Sequence, residues 1–183
     1  MKTLNLLLVS AALSFGATAT FAANPMVGGA PMYENKNIVE NAVNSADHTT
    51  LVAAVKAAGL VDTLAGPGPF TVFAPTNAAF EMLPAGTVDT LLKPENKAML
   101  TKVLTAHVLA GDWTAEKIMA EIKKSKNRMA NFTTVSGDAL SARMKNGALW
   151  IYDESGDVAK VTIADVDQSN GVIHVVDHVL VPK

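Results

Sequence analysis

Apolar residues recur every three or four positions over the first two-thirds of the chain and alternate in short runs over the last third. The first spacing predicts helices and the second predicts strands. Asn37, with Glu40 at the capping-box position, predicts a short helix over 38–43. Asp47 is placed to cap a second helix, in which Leu51, Val55 and Ala58 share a face before Gly59 takes the C′ position. One further turn follows over 60–64, and Gly66-Pro67-Gly68-Pro69 breaks it. Residues 70–74 read as a strand ended by Pro75, which lacks the N–H a ladder needs, and Thr76 or Asn77 can cap a brief helix through Phe80. Thr87 is placed to cap another over 88–92. The longest periodic stretch, 95–106, sets Leu100, Leu104 and His107 on one stripe with Met99 and Val103 and turns Lys97 and Lys102 outward. Gly111-Asp112-Trp113 interrupts the pattern, and Thr114 caps a last helix with Ile118, Met119 and Ile122 inward.

From Asn131 the period becomes strand-like. Apolar runs over 132–135, 139–144, 148–152, 158–163, 172–176 and 179–181 are separated by Ser136-Gly137, Asn146-Gly147, Ser155-Gly156 and Asn170-Gly171. Asn-Gly between alternating segments signals a hairpin, because both central residues of a type I′ turn need positive φ. Helices first and strands last argue an α+β domain rather than an alternating α/β sheet.

The two ends of the pattern divide the chain. Residues 1–22 read as a secretory signal peptide: Lys2 is the positive start, Leu4 to Ala12 the apolar core, and Thr20-Phe21-Ala22 the cleavage site. Localisation is therefore expected to be secreted or periplasmic. Residues 23–36, with Pro25, Gly28, Gly29 and Pro31, form a leader that lies on the domain or stays mobile, and 37–183 form one domain. A net charge of −2 lacks the basic surplus needed to neutralise several phosphates, so nucleic acid is not an expected partner. The absence of cysteine removes disulfides, thiolate nucleophiles and zinc ribbons.

Two segments are more specific. Residues 71–80, Thr71-Val72-Phe73-Ala74-Pro75-Thr76-Asn77-Ala78-Ala79-Phe80, resemble the first signature of fasciclin-type (FAS1) domains. Residues 171–182, from Gly171 through His174 and Asp177 to Pro182, resemble the second, and His107-Val108-Leu109-Ala110-Gly111 resembles the segment between them. The resemblance implies a wedge-shaped β-sandwich with flanking helices and a role in cell adhesion, matrix or envelope association. It gives no catalytic residue and no cofactor. The family often has Tyr-His in the middle segment; here Ala106 precedes His107, which weakens any transfer of an animal receptor mechanism. The motif residues Thr71, Phe73, Ala74, Pro75, Thr76, Asn77, Phe80, Gly171, His174, Asp177 and Pro182 are expected to be mainly structural.

Other constellations are poorer in chemistry. His174 and His178 lie four apart on a strand, roughly 13 Å, too far to share one ion. Asp165 to Ser169 starts like a calcium loop, but Asn170 and Val176 replace the required Gly and Glu, so a solvated turn into the last hairpin is expected. Met26 and Met32 could offer thioethers to copper, against the simpler reading that the leader packs down. Lys123, Lys124, Lys126 and Arg128 form a basic run at a helix C-terminus, and Asn131-Phe132-Thr133 is a glycosylation sequon. No nucleophile elbow or phosphate loop occurs. The expected function is a non-enzymatic interaction module whose partner is a protein or a cell-surface or matrix component. His107, Val108, Leu109, Asp112 and Trp113 are the candidate contact surface. The alternative is a carrier of a small ligand or metal ion, held near His107.

Overall fold

A computed structural model describes residues 24–182; the expected signal peptide lies outside the described residues. Asn37 caps α1 (Ile38–Ala42) as the sequence predicts, its Oδ1 accepting from the Glu40 amide while Glu40 returns a bond to the Asn37 amide. The second helix, α2 (Thr49–Ala58), ends at Gly59 as expected, but Asp47 does not cap it. Asn77 does so from a distant part of the chain: its Oδ1 accepts from the Thr50 amide at 3.0 Å and its Nδ2 donates to the Ala46 carbonyl at 2.9 Å. The single turn α3 (Val61–Leu64) leads through the Gly-Pro loop to β3 (Phe70–Pro75). The hairpin β1 (Met26–Val27) and β2 (Ala30–Pro31) precedes all of these. It lies on the domain, with Val27 and Met32 buried in the core.

Thr76 caps α4 (Asn77–Glu81), and α5 (Thr87–Leu91) and α6 (Lys97–Thr105) complete the helical layer. In α6 the stripe of Leu100, Val103 and Leu104 is buried. Met99 is not part of it: 61% of its surface is exposed, because the buried arc is narrower than the periodicity suggested. Residues 108–110, between this periodic stretch and the break at Gly111, form β4 (Val108–Ala110), antiparallel to β3. After it, α7 (Ala115–Lys124) starts from the Thr114 cap and buries Ile118 and Ile122.

The remaining strands are β5 (Ala130–Thr133), β6 (Ala139–Lys145), β7 (Ala148–Asp153), β8 (Val158–Gln168) and β9 (Gly171–Val176). With β3 and β4 they form one seven-stranded sheet in the order β4-β3-β9-β8-β7-β6-β5, in which β3 and β9 run parallel and the other neighbours antiparallel. A bridge between Leu109 and Thr134 brings the two ends of this sheet together, so it curls towards a barrel. Segment 165–168 belongs to β8 rather than to a solvated turn. The strand continues past register shifts between Val161 and Val166, with Asp165 at φ 55°, because bulges absorb the extra residues. The run 179–181 is not a strand, although Val179 and Leu180 are buried.

β3 and β9 separate two cores. Val72, Ala74, Ile173 and Val175 face the helices, while Phe73 and Val176 face the inside of the curled sheet with Leu140, Ile151 and Ile118. Alternation along a strand produces this division, and it explains why both motif strands are apolar on both faces. The α+β expectation holds, with helices on one side of the motif strands and hairpins wrapping the other.

Candidate contact site at the Trp113 turn

At Gly111 the chain leaves β4 with φ 104°, a conformation that favours glycine. A Cβ there would lie 3.2 Å from the Trp113 indole nitrogen, so glycine also makes room for the ring to fold back. Trp113 Nε1–H donates to the Ala110 carbonyl at 3.1 Å, and the ring meets Phe132 edge-on with centroids 4.9 Å apart.

The backbone of this turn is fixed from behind by the two motifs. Thr71 Oγ1, fully buried, donates to the Gly111 carbonyl at 2.7 Å and accepts from the Trp113 amide at 2.8 Å. His174 Nε2 lies 2.8 Å from the Trp113 carbonyl, and its Nδ1 accepts from the Asp165 amide at 3.2 Å. Both contacts are satisfied by the neutral tautomer with its proton on Nε2. Burial lowers the His174 pKa below the ordinary histidine value, which keeps the ring neutral, and the ring stacks on Phe73. Asp165 Oδ1 then accepts from the Ala115 amide at 2.7 Å, at the start of α7. Asp112 is exposed and paired with Lys117 at 2.6 Å.

The five residues expected to form one surface do not sit together. His107, Val108 and Leu109 are in the interior, 2%, 5% and 1% exposed, where no partner reaches them in the folded protein. The His107 Nδ1–H donates to the Val103 carbonyl at 2.8 Å, and Nε2 accepts from the Leu180 amide at 3.0 Å. Complete burial lowers its pKa to about 4. The helix α6 ends at Thr105, and just past His107 the chain enters the sheet as β4. Only Asp112 and half-buried Trp113 reach the surface.

Trp113 borders an open groove of about 510 Å3, with Phe132, Asn131, Met129 and Lys124 among its other walls. The space beside His107 is different in kind. It measures about 40 Å3 and is bounded by aliphatic side chains of α1, α2 and α6, such as Ile38, Leu51 and Leu104. That volume holds about one water and no organic ligand.

The motif residues expected to be structural are all buried or half-buried. Phe73 and Ala74 fill opposite cores, and Pro75 ends the β3–β9 ladder opposite Val176. Thr76 Oγ1 accepts from the Ala79 amide at 3.3 Å, and Phe80 is buried with the helices. A Cβ on Gly171 would clash with the Phe70 carbonyl oxygen, so no side chain fits there. Asp177 Oδ1 accepts from the Lys160 amide at 2.8 Å and lies 2.7 Å from His178 Nδ1. Pro182 is half-buried at the end of the described chain.

In the sequence Asn170 reads as a turn residue through its Asn-Gly pair. It is buried, its Oδ1 accepting from the Ile38 amide at 3.0 Å and its Nδ2 donating to the Leu64 and Gly66 carbonyls, both at 2.8 Å. Asn41 makes a second sequence-distant link, pairing with Gln168 and with the backbone of Tyr33.

Comparison with known proteins places this geometry. The Fasciclin domain family model matches residues 46–182. The chain belongs to the fasciclin domain family. It is 48% identical over 145 residues to Protein sll1483 of Synechocystis sp., covering 79% of this chain and 73% of that protein. It is 35% identical over 146 residues to Immunogenic protein MPB70 of Mycobacterium bovis, covering 77% of this chain and 66% of the relative. The FAS1 domain pair of the insect cell adhesion molecule fasciclin I superposes with a TM-score of 0.69 at 19% identity, covering 79% of this chain and 50% of the pair. The fasciclin-domain chain thus spans about half of that solved pair, and its fold is a FAS1 fold. Among the described residues no helix is long and apolar enough to cross a membrane.

Proposed function

We propose that this fasciclin-domain protein is a non-enzymatic interaction module, secreted or periplasmic, that binds a protein or a cell-surface or matrix component through the Trp113 turn. One observation carries the reading: Trp113 is held by three hydrogen bonds from behind yet presents part of its indole to an open groove of about 510 Å3. An aromatic fixed in this way loses little freedom on binding, and tryptophan is enriched among the residues that dominate interfaces. The adhesion function named for fasciclin I fits this reading. Chemistry is not supported by the histidines, since His107 and His174 direct their ring nitrogens to backbone groups. A buried contact does join Ser45 Oγ to His48 Nδ1 at 2.8 Å, but Ser45 is only 2% exposed and sealed from substrate. The carrier alternative has only the small space beside His107, where both ring nitrogens are already used.

The test is retention of the purified protein on whole cells, envelope fractions and matrix components. Trp113→Ala and Asp112→Ala should lower retention while the remaining protein stays folded by circular dichroism. Unchanged retention by folded Trp113→Ala would move the contact surface elsewhere.

A further inference from the structure

The curled sheet is zipped along one short seam and open beside it. The Val135 amide donates to the Val108 carbonyl at 2.8 Å, while the Thr134 amide donates the other way, to the Asp138 carbonyl at 2.9 Å. Successive residues of a strand direct their peptide groups to opposite edges. Val135, Thr133 and Asn131 therefore address the β4 side, and Thr134, Phe132 and Ala130 address β6, with which β5 pairs. On the other side β4 ends at Ala110, because the chain turns away at Gly111. Asn131 is left with its N–H and C=O directed into the groove, where one more pair of β4 residues would have met it.

The walls of the groove add two more properties. Trp113 and Phe132 form an aromatic wall held in one geometry. Lys124 lines the groove, and Lys126 and Arg128 stand exposed on the turn after α7, between the groove-lining Ser125 and Met129. Against these three cations the carboxylate that lines the groove among the described residues is that of Glu121, bound to Lys124 at 2.6 Å. This end is positive on a chain whose net charge is −2.

We infer that the groove takes an extended acidic peptide segment, added as a short strand along the Asn131 edge. Its apolar side chains lie against Trp113 and Phe132, and its carboxylates face the lysine and arginine rim. Strand addition uses main-chain hydrogen bonds for affinity and alternate side chains for specificity. An anionic glycan would use the cations and the aromatic wall, and its hydroxyls could bond a single N–H or C=O, but it carries no main-chain donor and acceptor repeat at strand spacing to extend the ladder. The inference rests on the reading of the Trp113 turn as a contact surface and adds the class of partner.

A labelled peptide of alternating valine and glutamate, titrated into the full chain by fluorescence anisotropy, tests it. Binding should weaken about tenfold or more when the peptide is N-methylated at alternate residues, since the main-chain bonds are then lost. Binding should fall with added salt, and Lys126→Glu with Arg128→Glu should reduce both affinity and salt dependence. Equal binding of the N-methylated peptide, or equal displacement by an oligogalacturonate of matching charge, would overturn strand addition. If the acidic peptide does not bind while Trp113→Ala still lowers retention on cells, the peptide class is wrong and the contact surface stands. If both fail, the surface itself is wrong.

Discussion

His174 and Trp113 lie 61 residues apart and share a hydrogen bond of 2.8 Å, from the imidazole Nε2 to the turn carbonyl. A histidine of the second motif therefore sets the backbone of the exposed turn, and its other nitrogen holds Asp165, which in turn meets the first amide of α7. The motif strand, the turn and the following helix are one hydrogen-bonded unit.

Replacing His174 by Phe keeps an aromatic ring to stack on Phe73 but removes both polar contacts. The Trp113 carbonyl and the Asp165 amide are then unpaired, which is expected to destabilise the fold by about 2–4 kcal/mol. Urea unfolding measures the loss, and near-ultraviolet circular dichroism should show a changed tryptophan environment. A variant as stable as wild type, with its spectrum intact, would remove His174 from this role.

Acid should loosen the fold through its buried histidines. The pKa of His107 is lowered to about 4 from 6.5, and those of His48 and His174 are lowered as well, in each case chiefly by burial. The unfolded chain then binds more protons than the native one between these values, so stability is complete above about pH 6.5 and falls as pH drops towards 4. For His107 alone the loss is about 3 kcal/mol, since each pKa unit is worth about 1.4 kcal/mol. Below the folded value the His107 contribution is flat. His107→Gln should be less stable at pH 7 and show a shallower fall between pH 6.5 and 4. Thermal midpoints across that range decide the matter; parallel pH profiles for the two proteins would reject it.

Asn170 joins the last hairpin to α1, to the end of α3 and to the Gly-Pro loop with a single amide. Asn170→Ala leaves one buried amide and two carbonyls without these bonds, with an expected loss of about 3 kcal/mol or more. Asn170→Asp retains the acceptor for Ile38 but faces a carboxylate towards two carbonyls, so it should be worse than alanine at neutral pH. The order of the two urea midpoints checks this, and an aspartate variant more stable than alanine contradicts it.

Local physics explains what was readable in advance. The Asn37 capping box, the Gly59 stop, the Thr114 cap and the two-faced motif strands each depend on neighbours within a few residues, so their signal is in the order of residue types. The failures are long-range. Asp47 was a plausible cap until folding brought in Asn77, and Asn170 looked like turn chemistry because its partners lie more than a hundred residues away. Val108 and Leu109 carry no period long enough to separate a helix end from a three-residue strand. That ambiguity placed three interior residues on the expected contact surface. Trp113 stands out in the sequence by its position beside the Gly111 break, but the groove itself depends on β5, which follows it after a complete helix.

Thr71 separates a rigid contact turn from a merely exposed one. Its hydroxyl is buried beneath the turn and bonds both the Gly111 carbonyl and the Trp113 amide, so it never touches a partner. Thr71→Val keeps the branched shape and removes that bridge, leaving two backbone groups unpaired at an expected loss of about 2–3 kcal/mol. If binding depends on Trp113 being held in place, retention on cells must fall as well, although every surface residue is unchanged. Trp113→Ala should lose more of both properties: its ring packs on Phe132 and the second core, so truncation is expected to destabilise by about 3 kcal/mol in addition to weakening binding. Trp113→Phe restores much of the packing but not the Nε1 bond to Ala110, and should recover stability more than affinity. Stability from urea curves and retention from folded protein at equal concentration give the two readouts. A Thr71→Val protein that is less stable yet binds undiminished would show that the turn need not be held rigid, leaving Trp113 an anchor only by position.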